Sequence, residues 1–198
     1  MSEQESRPAG YDFGTPQSAR SPLSAAERAD LIAASTLTDT DREYLRRAGE
    51  VLREHAGEMV DTWRAEIARQ PHLARYSARP DGDPNPDYAA ASKPRFAQWI
   101  VDVCTRPYDA AWADYQEEIG LRHTRAKKNQ TDGADSAPHI PLRYVIAFTG
   151  FVLVSSKEFL ARGGDSATEV EAMYAAWTKA VLLHIALWSR PYARPGDW

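Results

Sequence analysis

The sequence has a single cysteine, Cys104, among its 198 residues. One thiol cannot form an intrachain disulfide, and it cannot supply the thiolate cluster of a structural zinc or iron–sulfur site. The chain also has no surplus of positive charge, because 24 Lys and Arg face 28 Asp and Glu, for a formal net charge of -4. Without a broad basic field we expect no nucleic acid partner.

Long hydrophobic runs are missing as well. The longest apolar stretches, residues 145–154 and 180–188, are shorter than the ~20 residues that a membrane-spanning helix needs. Residues 1–20 are polar and lack the apolar segment of a secretory signal. The sequence therefore predicts a cytoplasmic protein that neither crosses a membrane nor is exported.

No segment alternates polar and β-branched residues in the manner of a strand. Apolar residues instead recur three or four apart along most of the chain, which predicts an all-α fold. The beginning of the chain contains Pro8, Gly10, Gly14 and Pro16, which favour irregular backbone. We therefore predict an irregular N-terminal extension over residues 1–22 and a single domain over residues 23–198, long enough to bury one sizeable core.

Helix boundaries are indicated by capping signals and by proline or glycine. Ser24 with Glu27, Thr40 with Glu43 and Ser166 with Glu169 each have the spacing of a capping box. The predicted helices cover residues 25–34, from about 40 to 70 as one helix or two in series, 87–106, 108–124, 142–162 and 167–189. Proline-rich residues 77–86 and polar residues 125–141 are predicted loops.

The five histidines are the candidate soft ligands or general bases near neutral pH. No two of them are four residues apart, so a multi-histidine metal site on one helix is not expected. His55 and His184 lie on apolar stripes and are interpreted as core residues, whereas His72 and His139 follow prolines and are interpreted as surface or capping residues.

His123 is different because it follows Trp112, Tyr115 and Ile119 on one apolar stripe near the end of a helix. One neutral imidazole facing a cavity lined by large aromatic side chains is a suitable axial ligand for an iron macrocycle. Spacing alone leaves this interpretation open, since any helical bundle has inward residues near helix ends.

Several stretches of the sequence resemble the protoglobins, single-domain relatives of the globin-coupled sensors. The most specific is IGLRHTRAKKNQTD at residues 119–132. Further matches are DTWRAEIARQPHL at 61–73, PDGDPNPDY at 80–88, KPRFAQWI at 93–100, FLARGG at 159–164 and ALWSRPYARPGDW at 186–198. The resemblance covers essentially the whole chain.

This resemblance implies a globin fold, a 3-over-3 helical sandwich, with an extra N-terminal helix and an N-terminal strap. It also implies haem b with His123 as the proximal iron ligand, and Trp63, Phe96 and Phe148 lining the distal side. We count Arg95 among the cofactor-binding residues too. From the residues alone, Trp63 and Phe96 could equally be core residues, and Phe148 lies at the edge of its stripe.

Arg64 departs from the family pattern, which typically has a tyrosine at this position. Burying an unpaired guanidinium beside haem would be costly. In one interpretation Arg64 turns to solvent or to Asp61 or Glu66 and leaves an apolar distal pocket; in the other it donates to a bound anion or oxygen. We favour the first, because the long aliphatic stem lets the charge leave the pocket.

The leading functional hypothesis is a haem protein that binds O2, CO or NO reversibly, for gas binding or sensing. Because the sequence ends soon after its last helix, we expect no output domain on this chain, although a partner could receive a signal. The alternatives are a haem enzyme that turns over NO, nitrite, peroxide or carbene precursors, and a haem-free helical dimerisation module.

The last two long helices have more apolar residues than one inward stripe requires. The resembling family pairs through these helices, so we expect a homodimer with two-fold symmetry. Five residues are predicted to form the second apolar face: Val152, Phe159, Ala176, Leu183 and Leu187. The alternative is that all five face the core of one monomer.

Overall fold

A computed structural model describes residues 7–194 and 196–198. The helices in this part of the chain are α1 (Ala25–Ala34), α2 (Asp39–Arg69), α3 (Pro71–Ala74), α4 (Pro86–Thr105), α5 (Ala110–Leu121), α6 (Leu142–Leu160) and α7 (Ala167–Ser189), with 3₁₀ turns at Ala161–Gly163 and Arg190–Tyr192. No strand occurs among the described residues, and the prediction of an all-α fold is confirmed.

The core forms where α2 packs against α4 and α7, with α6 against α2 and α7. Helix α5 lies on the other side of α7, where its aromatic residues form a second apolar cluster with Leu183 and Leu187. Helices α2 and α4 approach closely at Gly49, since a Cβ there would be 2.8 Å from the Cβ of Cys104. A glycine at this position lets the two helices approach closely.

Two of the three predicted capping boxes are present, at Ser24 with Glu27 and at Ser166 with Glu169. The third prediction, Thr40 with Glu43, is wrong. The N-cap of α2 is Thr38, whose extended backbone precedes the helix and whose side chain pairs with Asp41. Aspartate can form the same reciprocal hydrogen bonds as glutamate, so the helix is capped by Thr38, two residues before the predicted N-cap Thr40.

The N-terminal strap, residues 7–23, has no helix and runs over α5 and the end of α4. The Tyr11 hydroxyl donates to the buried carboxylate of Asp102 at 2.6 Å. Arg122 donates to the Gly10 carbonyl at 2.9 Å and pairs with Asp12 at 2.7 Å. The strap is therefore held by specific polar contacts and by the packing of its aromatic rings on α5.

The five residues predicted to form a second apolar face on the last two helices do not form one. Val152, Phe159, Ala176, Leu183 and Leu187 are all buried within the monomer. They lie on the stripes that α6 and α7 turn toward α2 and α5, so none of them is available to a partner.

Other apolar side chains of these helices are exposed instead. Ile146 is 53% exposed and Val154 71% exposed on α6, and Leu182 is 51% exposed on α7. The spacing of Ile146, Gly150 and Val154 places them along one side of α6, and Gly150 is exposed too. These exposed residues, together with Leu182, are referred to below as the open face.

The expectation that no segment is long enough to cross a membrane needs correction. Residues Leu142–Gly163 and Ala167–Tyr192 form helical segments of sufficient length and apolar composition, although core helices of soluble proteins meet the same criteria. The sequence estimate counted uninterrupted apolar residues, whereas scattered polar side chains do not prevent a helix from being apolar on average. Cytoplasmic location stays a prediction.

Candidate functional site

His123 lies just after α5, in a turn whose backbone is fixed from two sides. The Ile140 amide donates to the His123 carbonyl at 2.9 Å, and the Tyr192 hydroxyl is 3.3 Å from the same oxygen. The ring stacks on Trp188 of α7, with centroids 5.4 Å apart and planes 23° from parallel. The imidazole therefore has a defined position.

The hydrogen bond of the ring defines its tautomer. Nδ1 of His123 lies 2.8 Å from the Ile119 carbonyl oxygen, which can only accept, so the proton is on Nδ1. The lone pair is then on Nε2, which has no hydrogen-bond partner among the described residues. Burial lowers the pKa of His123 and keeps the ring neutral. A neutral histidine that donates one N–H to a carbonyl has the form that binds a metal through the other nitrogen.

The predicted distal aromatic residues come from three helices. Trp63 on α2 is fully buried, and its ring centre is 5.2 Å from that of Phe96 on α4. Its indole N–H donates to the Ser155 hydroxyl of α6 at 2.9 Å. Phe148 is half-buried on α6 and contacts Phe151 at 5.6 Å. Trp63 and Phe96 are thus in contact, with Phe148 packed against the same core.

The partners expected for Arg64 are wrong. Its guanidinium donates to the Ala89 carbonyl and, at 2.7 Å, to the Ser92 hydroxyl, both on α4. Asp61 pairs with Lys93 instead, and Glu66 accepts from Gln70. These carboxylates have nearer partners, while the start of α4 offers Arg64 neutral acceptors. Burial lowers the pKa of Arg64.

Arg95 belongs to a different set of contacts from the aromatic residues. It pairs with Asp132 at 2.5 Å, both side chains being 10% exposed, and donates to the Ala9 carbonyl at 2.6 Å. It thereby ties α4 to the strap and to the loop after His123. The positive charge of Arg95 is therefore paired with the carboxylate of Asp132.

Lys128 is a buried cation that the sequence analysis treated only as part of a basic run. It is 5% exposed, its ammonium donates to the Ser136 hydroxyl at 2.8 Å and lies 4.9 Å from the Tyr88 ring centre. No carboxylate is within ion-pair distance of it among the described residues. Burial lowers its pKa to about 8, and its charge in turn disfavours protonation of His123. The position of Lys128 within the sequence AKKNQTD gave no indication that its side chain is buried.

Two clefts open on the surface of the described residues. One, of about 370 Å³, lies between Tyr88 on α4 and residues 132–135; the other, of about 330 Å³, lies between the strap and α5. Neither is lined by His123 or Trp63.

The remaining histidines lie away from His123. His55 contacts Phe159, and His72 lies against Tyr144. His139 is half-buried beside Tyr192, and its Nδ1 has no partner among the described residues. His184 is buried and, unlike the backbone-bonded core histidine expected, faces tryptophan N–H groups. In residues 7–194 and 196–198 no three His, Cys, Asp or Glu side chains are grouped as metal ligands would be.

Comparison with known proteins gives two matches of interest. The family model described as Protoglobin matches residues 24–198. Among solved structures, the globin domain of E. coli DosC in the ferric form superposes with a TM-score of 0.63 at 14% identity, covering 84% of this chain and 99% of that one. No curated protein matches the sequence. The structural match shows the fold, which is that of the globins.

Proposed function

Because the chain belongs to the protoglobin family, we propose that it holds haem b through Nε2 of His123 and binds O2, CO or NO reversibly on the opposite side, for gas binding or sensing. When bound, haem supplies the iron that takes the gas. The protein supplies the axial nitrogen, an aromatic enclosure and the charges that match the edge of the cofactor.

The observation that carries this proposal is the state of His123. Its N–H is committed to the Ile119 carbonyl, so the lone pair is free to bind iron without a tautomer change. The stacked Trp188 ring limits rotation of the imidazole. A ligand held in position by neighbouring groups loses little freedom on binding, which favours retention of the cofactor.

On the distal side we propose an apolar pocket. The N–H of Trp63 is bonded to Ser155, and Arg64 is bonded to Ala89 and Ser92. Phe96 and Phe148 have no polar group to offer. A gas molecule there receives no hydrogen bond from these residues, so we expect faster O2 release than in a globin with a distal donor.

The cations near Tyr88 are suited to the carboxylates of haem. Lys128 is buried with no carboxylate within ion-pair distance among the described residues, and Asp132, which pairs with Arg95, offsets its charge only partly and from farther away. Its charge also influences the His123 ring. The charges of Arg64 and Arg95 both act to lower the pKa of Tyr88, which burial raises overall, and Asp132 forms an ion pair only with Arg95. A buried unpaired cation is stabilised by an anion. We therefore assign Lys128, with Arg95 beside it, to the propionate edge.

The absorption spectrum of the purified protein tests the cofactor. We expect a Soret band at one haem per chain, which shifts on reduction and again with CO. His123→Ala should lose stoichiometric haem or keep it weakly, with recovery on adding imidazole, because that ring is the proposed axial ligand. His139→Ala is the matched control and should keep the wild-type spectrum. A normal ferrous CO spectrum in His123→Ala would exclude His123, and a protein with no Soret band would be a haem-free helical module.

We further propose that two chains pair through the open face of α6 and α7. Only 28% of the most apolar 18-residue stretch within Leu142–Gly163 is buried within the monomer, and exposed side chains such as Val154 are costly to leave in water. A second copy would cover the same patch on both chains, which is the usual arrangement of a two-fold dimer. We place this dimer in the cytoplasm.

A further inference from the structure

A continuous path of indole rings leads from His123 into the core. Trp188 stacks on His123 at 5.4 Å, Trp99 lies 5.3 Å from Trp188, and Trp63 lies 6.3 Å from Trp99. All three tryptophans are buried. Indole is among the most easily oxidised side chains, and rings in contact exchange electrons rapidly. The path therefore connects the proposed iron ligand to side chains that can give up an electron.

An oxidised indole is stable where a neighbouring group can accept its N–H proton. Removing an electron makes this proton acidic, so the radical persists where a base accepts it. The N–H of Trp188 donates to the Gln116 amide oxygen at 2.8 Å, which is not a base. The N–H of Trp99 donates to Nδ1 of His184 at 3.0 Å. Burial lowers the pKa of His184 to about 3, but burial disfavours the charge of an oxidised indole in the same way, so the proton moves along the hydrogen bond to the imidazole, whereas the amide offers no such site.

The other buried indoles near Trp99 lack such a base. Trp63 donates to a serine hydroxyl, and Trp177, 6.0 Å from Trp99, has no partner for its N–H among the described residues. Trp112 lies on the far side of His184, 3.2 Å from Nε2. A neutral imidazole accepts at only one nitrogen, and the contact with Trp99 is the shorter one.

We propose that Trp188 and Trp99 form an electron relay which lets the loaded protein reduce hydroperoxides, with Trp99 as the place where the radical rests. This inference depends on the proposed haem site at His123. The proposed substrates are hydroperoxides, and their reduction is an activity distinct from reversible gas binding.

The reaction balances with one indole of the path and an added reductant. One hydroperoxide takes two electrons and two protons, its O–O bond breaks, and an alcohol and a water form. Trp99 gives one electron through Trp188 while its N–H proton moves to His184, which leaves a neutral Trp99 radical. An added reductant such as ascorbate returns one electron, the proton moves back from His184 to the indole, and the proton released by the oxidised reductant goes to the peroxide oxygens. A second such cycle supplies the other electron and the other proton.

Electron paramagnetic resonance of the haem-loaded protein tests the relay. The samples are mixed with one equivalent of hydrogen peroxide and frozen within seconds. We expect a neutral tryptophan radical in the wild type and at least a tenfold weaker signal in Trp99→Phe. Trp188→Phe should delay its formation. Trp198→Phe is the control, because this exposed residue is outside the path and bonds only near the end of α7.

Two further measurements separate the relay from a packing role. His184→Leu should replace the neutral radical by a short-lived cation radical, a change that altered packing would not cause. Ring-deuterated tryptophan in the unmutated protein should narrow the signal, which keeps the test valid if a variant does not fold. An equal signal in Trp99→Phe, or no effect of deuteration, would overturn the relay while a normal Soret band leaves the haem proposal intact. No Soret band would reject the haem proposal itself.

Discussion

Arg64 shows how a charged residue can border the proposed haem site without contributing a hydrogen bond to it. Its guanidinium is bonded to the Ala89 carbonyl and the Ser92 hydroxyl, so it joins α2 to the beginning of α4. Hydrogen bonds from a charged donor to neutral acceptors offset part of the cost of burying the charge. The residue thereby stabilises the wall of the site and leaves its interior apolar.

Arg64→Tyr should slow O2 dissociation from the ferrous protein. A phenol can donate one hydrogen bond to bound oxygen, worth about 1 kcal/mol, which corresponds to roughly a fivefold slower rate. Stopped-flow displacement of O2 by CO measures it. Arg64→Phe is the control, since it adds the ring without the donor and should not slow release. Faster dissociation in Arg64→Tyr would mean that Arg64 was already donating to the ligand.

At this scale the sequence predicted the position of His123 better than its surroundings. The apolar stripe and the motif around residue 123 both indicated an inward imidazole. The partner of Arg64 could not be predicted, because Asp61 and Glu66 are near it in sequence but bond to Lys93 and Gln70. Burial of a lysine depends on loops that meet in space, so a basic run does not reveal it.

Among the helices, α2 and α4 make the most extensive contact. Gly49→Ala should destabilise the protein by about 1–3 kcal/mol, because its Cβ would come within 2.8 Å of Cys104 and force the helices apart. Gly57→Ala, in the same helix with no atom within 4 Å of the added carbon, should stabilise it by roughly 0.5–1 kcal/mol. Urea unfolding measures both. Equal effects of the two substitutions would contradict this account of the contact.

The helices were largely predictable because their apolar periodicity and caps are local properties. Their ends were less so: the stripe around Tyr115 suggested a helix over residues 108–124, whereas α5 covers Ala110–Leu121. The carboxylate of Asp109 accepts from the Trp112 amide and begins the helix later. The direction of the apolar residues on α6 and α7 was not predictable, since both sides of these helices are apolar.

At the scale of the whole molecule, the open face predicts that a charged substitution there lowers the mass of the particle in solution. We expect light scattering at micromolar concentration to give twice the 22.1 kDa chain mass, and Val154→Glu to shift it toward the monomer. A charge at a residue that is 71% exposed in the monomer costs little until a partner covers it. Ala68→Glu, on an exposed position of α2, should leave the mass unchanged. A wild-type mass near that of one chain would refute the dimer.

The strap has a consequence for the order in which the molecule assembles. Its hydrogen bonds to Arg95 and Arg122 join residues 86 and 112 apart in sequence. Contacts this distant form late, because the loop they close must first lose its freedom. Helix α5 and the turn with His123 are thus in place while the strap is still open. The proposed cofactor then has time to enter before the first part of the chain closes over α5 and the turn with His123.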